Sequence, residues 1–197
     1  MNRYMMKSFN KDTSCHDIFR EVKNRQLYAI MLHSQAIEYF KLLGLKGFEE
    51  MHKYQHLSER MDYQKTNDKY FDEYGMILEE AHTLNPKVIP SDWYGCSKYD
   101  VTSSIRQRGV KDFFDEYLEW ESQSKRAYEH YAHIFIEKGE ICNSEYMTCL
   151  AKDTACELSC LDHYRLEMSM CSYDAEVVLG MQHCIKEKYH DMIEDLL

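Results

Sequence analysis

Helix breakers are almost missing from this chain: 197 residues contain two prolines and seven glycines. Both prolines, Pro86 and Pro90, fall in one segment, TLNPKVIPSDWYGCSKYD, where Gly95 joins them. A chain punctuated so locally leaves two long stretches free to be helical. Alternating β-branched runs bounded by hairpin turns are missing too, which excludes a sandwich or barrel. Positive charge is in deficit, with 24 Lys and Arg against 34 Asp and Glu and a formal charge of -10. That balance lacks the footprint of a nucleic-acid or anionic-membrane binder and makes metal ions the more natural partners. No apolar run approaches the ~20 residues of a membrane span, and MNRYMMKSFNKDTSCHD at the start holds no export signal, so a cytoplasmic location is expected. The eight cysteines include no CxxC pair, which favours reduced thiols over a disulfide framework or zinc ribbon. A Gly-rich phosphate loop, a GxSxG elbow and HExxH are likewise absent.

What is present suits one helical domain: 44% of residues are hydrophobic and 13% aromatic, enough for a sizeable core. Helical periodicity runs from about Cys15 to Leu43, breaks at GLKG, and resumes from Phe48 to about Glu80. Beyond the proline segment it runs from about Thr102 to Lys138, breaks at GEICNSE, and resumes from about Tyr146 to Cys171. A fifth helix follows, with Asp174 as its N-cap. The expected fold is all-α, a single domain over 1–197 with a helix pair (15–80), a crossover (84–101), a second pair (102–171) and a C-terminal helix (174–197). Such connectivity is one way to build a four-helix bundle.

In a bundle the axis-facing stripe of each helix should be apolar, so polar residues inside it are informative. At about 100° per residue, Val22, Ile30, Ile37 and Phe40 set the stripe of the first helix, with Gln26 and His33 within it. On the third, Val110, Phe114, Leu118, Tyr128, Ala132 and Phe135 enclose Glu121, and Lys125 is the evident cation. On the fourth, Leu150, Leu161, Tyr164 and Met168 share a face with Asp153, Glu157 and Cys160. The second helix has a mostly polar face that includes Gln55, Glu59, Asp62 and Thr66. Glu59 and Asp62 stand three apart, an arrangement that repels unless a cation lies between them. Buried carboxylates are unfavourable unless protonated, paired or metal-bound. A carboxylate-bridged metal pair in a bundle takes a Glu from each of two helices and a Glu-x-x-His from each of the others. Gln26, Glu59-x-x-Asp62, Glu121 and Glu157-x-x-Cys160 occupy the comparable stations here.

Residues 24–75, NRQLYAIMLHSQAIEYFKLLGLKGFEEMHKYQHLSERMDYQKTNDKYFDEYG, resemble the first helix pair of ferritins, including the Gly-Leu-x-Gly-Phe connection from Gly44 to Phe48. The likeness covers most of the chain. It implies a ferritin-like four-helix bundle with a long crossover between helices 2 and 3 and a fifth C-terminal helix. It also implies assembly into a homo-oligomer and a di-iron centre at which Fe(II) is oxidised. The resemblance places Glu59 on the glutamate that bridges the irons, and Glu121, in FDEYLEWES, on the third-helix glutamate. Departures are as clear: Gln26 stands for a first-helix Glu, Asp62 for the second-helix His, and His33 for a first-helix Tyr near the centre. Glu157 is the fourth-helix counterpart for one placement of a gap. The metal set to locate is therefore Gln26, His33, Glu59, Asp62, Glu121 and Glu157.

Each residue also has an ordinary explanation. Lone helix carboxylates are usually solvated, Gln26 can serve a buried neighbour as a hydrogen-bond partner, and His33 is by default a core histidine. Cys160 is a small hydrophobe unless it coordinates; a thiolate beside iron invites oxidation, so coordination would favour zinc, or no metal. Tyr28 and Tyr128 are candidate redox-active neighbours, whereas His52, His56, His130 and His133 are expected at surfaces or interfaces. Three functions stay open: an iron-binding ferritin-like protein that oxidises Fe(II), a degenerate ferritin-like scaffold acting in assembly, and a di-metal oxidase or peroxide scavenger of the rubrerythrin kind. The last lacks a CxxC segment to pass electrons. Tyr39, Phe71 and Tyr131 are expected on outer faces, where they favour self-association, and Val177, Val178, Met181, Ile185 and Tyr189 give the last helix a packing face.

Overall fold

The structure, a computed structural model, describes residues 9–196. The beginning of the N-terminal stretch read for an export signal, and Leu197, the last residue of the C-terminal helix expected over 174–197, lie outside the described residues. Five long helices dominate: α1 (Cys15–Leu43), α2 (Lys46–Tyr74), α3 (Ser103–Glu137), α4 (Ile141–Met170) and α5 (Ala175–Glu194). No strand occurs among the described residues, in keeping with the all-α reading.

Helix ends follow local chemistry. Ser14 caps α1 by accepting the Asp17 amide at 3.0 Å, and Gly44, at φ 73°, turns the chain so that the Leu45 amide closes on the Phe40 carbonyl. Helix α2 ends at Tyr74 rather than near Glu80, because Gly75 adopts φ 64° and its amide bonds the Phe71 carbonyl. Helix α4 starts at Ile141, earlier than the expected Tyr146. The polar GEICNSE stretch looks like a loop, yet Asn143 is buried in the first turn of α4, where its amide donates to the Tyr74 hydroxyl at 2.9 Å and to Glu140 at 2.6 Å. Asp174 caps α5 through the Glu176 amide at 2.8 Å.

Helices α1 and α2 pack as one hairpin and α3 and α4 as another; α5 folds back along α2. Two hydrophobic clusters fill the bundle. One contains Leu32, Phe40, Phe48, Phe113, Phe114 and Leu161; the other contains Phe19, Val22, Tyr131, Phe135 and Met147. Each such fully buried side chain contributes about 1.5–3 kcal/mol of transfer free energy. In between lies a polar layer to which every helix of the two hairpins contributes.

The crossover from Gly75 to Thr102 runs against α1 and is held by its side chains. Asn24 accepts the His82 amide at 2.7 Å, Gln35 accepts the Val88 amide at 3.0 Å, and Lys23 donates to the Glu79 carbonyl at 2.9 Å. This cover widens the buried face of α1, so the core stripe is Val22, Ala29, Leu32, Ala36 and Phe40, with Ile30 and Ile37 only half-buried. It also corrects the outer-face reading. Tyr39 is 3% exposed beneath Trp93 of the crossover, and Tyr131 is fully buried against Phe9; Phe71, at 54%, does face solvent. Lys125 points outward to Glu129 at 2.6 Å.

Candidate functional site

The polar layer surrounds a cavity of about 20 Å³, room for one water-sized guest. Five of the six residues singled out from the sequence line it: Gln26 from α1, Glu59 and Asp62 from α2, Glu121 from α3 and Glu157 from α4. They meet because each falls on the axis side of its helix at the same height. Asp153 and Arg25 join them, and Tyr128 closes one wall.

Negative charge is in excess there. Burial pushes the Glu59 carboxyl well above the usual range, and the charges of Glu157, Glu121 and Asp62 add to the shift. Burial and Glu157 push Glu121 up as well, while Tyr117 and Arg25 act in the opposite sense. Glu157 is pushed up to about 7 by burial, Asp62 and Asp153, with Gln55 opposing. Asp153 is raised by burial and Asp62, against Lys65. Glu121 is 3% exposed and its Oε1 has no hydrogen-bond partner. Asp62 stands nearer the rim, paired with Lys65 at 2.8 Å and with a side chain 23% exposed.

A positive group at this cavity is Arg25, a residue the sequence reading did not single out. Its guanidinium lies 3.8 Å from Glu21, donates to Ser124 at 3.2 Å, and sits 5.3 Å from the centre of the Trp120 ring. Its neighbour Gln26 is engaged elsewhere: Oε1 accepts the Thr66 hydroxyl at 2.8 Å, and the same hydroxyl meets Tyr146 at 2.8 Å. Gln26 Nε2 has no partner.

His33 does not line the cavity. It is buried in the next layer, its Nδ1 3.0 Å from Nδ1 of His52, with Tyr117 against both rings. One Nδ1 must donate and the other accept, so the accepting ring is neutral, and burial keeps the donating ring neutral as well. Burial pushes His33 down to about 3 and His52 well below its ordinary value, and the neighbouring imidazole charges add to both shifts. His52 is therefore a core residue and not a surface one. Cys160 also stays out of the cavity, at the joint of α4 and α5, 3.5 Å from Lys188 Nζ and 3.8 Å from the Tyr189 hydroxyl. All eight cysteines are free. Tyr28 packs on Trp120 at 4.4 Å, while Tyr128 reaches the cavity, its phenol raised by burial and by Glu59.

The side chains form a ring around the cavity without closing on a point. Among the described residues no trio of His, Cys, Asp and Glu stands near enough together to hold a metal ion as placed. Chemically the set nevertheless fits a hard cation, because it offers carboxylate oxygens from α2, α3 and α4 and includes an orphaned, buried Glu121 oxygen.

Comparison with known proteins bears on the fold. No protein-family model matches the chain, and no curated protein matches it in sequence. Among solved structures it is similar to a ferritin of Archaeoglobus fulgidus engineered into a closed form, with a TM-score of 0.70 and 16% identity over 89% of this chain and 97% of that one. The fold is thus that of a ferritin-like helical bundle. No helix among the described residues is long and apolar enough to cross a membrane.

Proposed function

We propose that this ferritin-like chain binds a hard divalent cation between Glu59, Glu121 and Glu157, with Fe(II) as the natural substrate and a homo-oligomer in the cytoplasm as its setting. The reading is carried by Glu121 Oε1, a buried carboxylate oxygen without a partner that faces a cavity ringed by other acids. An uncompensated cluster of this kind is costly when empty and is relieved by a cation. Asp62 and Asp153, nearer the rim, guide an ion inward, and Gln26 offers a weaker neutral oxygen once it leaves Thr66. Bound Fe(II) supplies one electron for the reduction of dioxygen, which makes oxidation in air the chemistry to test. The oxygen-only set and the distance of Cys160 favour iron or manganese over zinc.

A scaffold without metal chemistry is the second reading. It is favoured by the engagement of Gln26 with Thr66 and of Asp62 with Lys65. An anaerobic titration with Fe(II), followed by air and metal analysis, separates the two. Retention of Fe(II) by the wild type, lost in Glu59→Gln/Glu121→Gln, supports the cation site. A wild type that retains no metal after gel filtration leaves the scaffold.

A further inference from the structure

We infer that Arg25 takes the place of a second cation, so that the bundle centre accepts one divalent ion per chain and not a pair. The inference rests on the cation-site reading above and goes on to name the residue that sets the number of ions. Three observations carry it. First, Arg25 is fully buried and lines the same cavity as Glu121, so its charge belongs to the site and not to the surface. A guanidinium cannot shed that charge under any ordinary condition. Second, it is fixed: Glu21, Ser124 and Trp120 hold it from α1 and α3, which leaves it little freedom to swing away when an ion enters. Third, charge is divided across the cavity. Glu59, Asp62, Asp153 and Glu157 project from α2 and α4, whereas the α1 side presents a guanidinium and the neutral amide of Gln26. A cation therefore settles toward α2 and α4, with Glu121 between it and Arg25, and the about 20 Å³ of free space admits one such guest.

The test is a count of Mn(II) per chain by calorimetry under anaerobic conditions, with the electron paramagnetic resonance spectrum of the saturated protein as a second measurement. Removing Arg25 alone would strand Glu21 in the core, so the informative variant is Glu21→Gln/Arg25→Met, which removes both charges and keeps an unbranched chain against Trp120. The wild type should bind one Mn(II), with an uncoupled six-line spectrum, and the double variant should bind two. Two ions or a spin-coupled pair in the wild type would overturn the inference and leave the cation site standing, as would a folded double variant that still binds one. If that variant fails to fold, the wild-type count and spectrum decide. A wild type that binds no Mn(II) overturns both readings together.

Discussion

Arg25 and Gln26 are consecutive residues on α1, and through them α1 brings a positive and a neutral group to a cavity that α2, α3 and α4 line with acids. The stripe rule picks out Gln26 because it sits a helical turn from Val22 and from Ala29 or Ile30. It misses Arg25, whose burial depends on Trp120 and Ser124 of another helix. Glu121 and Glu157 were legible for the converse reason, since helical arithmetic sets them on apolar stripes, whereas Glu59, on a mostly polar face, was picked out by its spacing from Asp62 and by the resemblance. Gln26→Glu keeps the acceptor for Thr66 and adds a buried negative charge. The metal-free variant should lose on the order of 1–3 kcal/mol, while its Mn(II) affinity should rise by about tenfold or more. Thermal melts with and without Mn(II) check both signs; an unchanged affinity would remove Gln26 from the site.

The His33–His52 pair gives a second prediction at this scale. Both imidazoles are held neutral in the fold, with His33 pushed down to about 3, whereas in the unfolded chain they take up protons below ~6.5. The unfolded state then binds more protons, so stability is lost as pH falls from ~6.5 toward 3. The raised carboxyls of Glu59, Glu121 and Glu157 work in the opposite direction, gaining stability as they protonate. Replacing the pair with His33→Leu/His52→Phe isolates the histidine part. Between about pH 6.5 and 5 the wild type should lose roughly 1.6 kcal/mol per imidazole more than the variant. Parallel stability curves from urea titrations would show that the pair is not neutral and buried.

At the scale of elements, a helix is read well where its ends carry glycine or a capping side chain. Thr102 and Asp174 mark real helix starts, and Gly44 a real end. The start of α4 and the cover over Tyr39 were not legible, because each depends on a contact with chain far away in sequence. The seat of α5 is another long-range device. Helix α2 has no side-chain cap of its own at Leu45; instead Gln182 of α5 accepts the Phe48 amide at 3.0 Å. Gly47 is what lets α5 come so near, since a Cβ there would stand 2.5 Å from the Gln182 carbonyl oxygen. Gly47→Ala should therefore destabilise the protein by about 1–3 kcal/mol through overpacking, in spite of the better helix propensity of alanine. Hydrogen exchange should show α5 amides losing protection first. A variant at least as stable as the wild type, with α5 unchanged, would contradict this close packing.

Across the whole molecule, two apolar clusters enclose one acidic layer, in a chain that already carries ten excess negative charges. Such a layer does not stabilise the metal-free protein. Glu121 is a buried acid and Glu59 a partly buried one, and the charge of Glu157 disfavours the ionised form of both. The most direct measurement is the melting temperature of wild type and Glu59→Gln/Glu121→Gln near neutral pH, each without metal and with Fe(II) or Mn(II) under anaerobic conditions. Glutamine keeps the shape of the acid and removes its charge, so no cavity complicates the sign. The expected result is a metal-free variant that melts at or above the wild type, with metal raising the wild type alone, by ~2.7 kcal/mol at a hundredfold excess over the dissociation constant. A metal-free variant weakened by about 1–3 kcal/mol, as for a broken polar network, with neither protein responding to metal, would contradict the cation site.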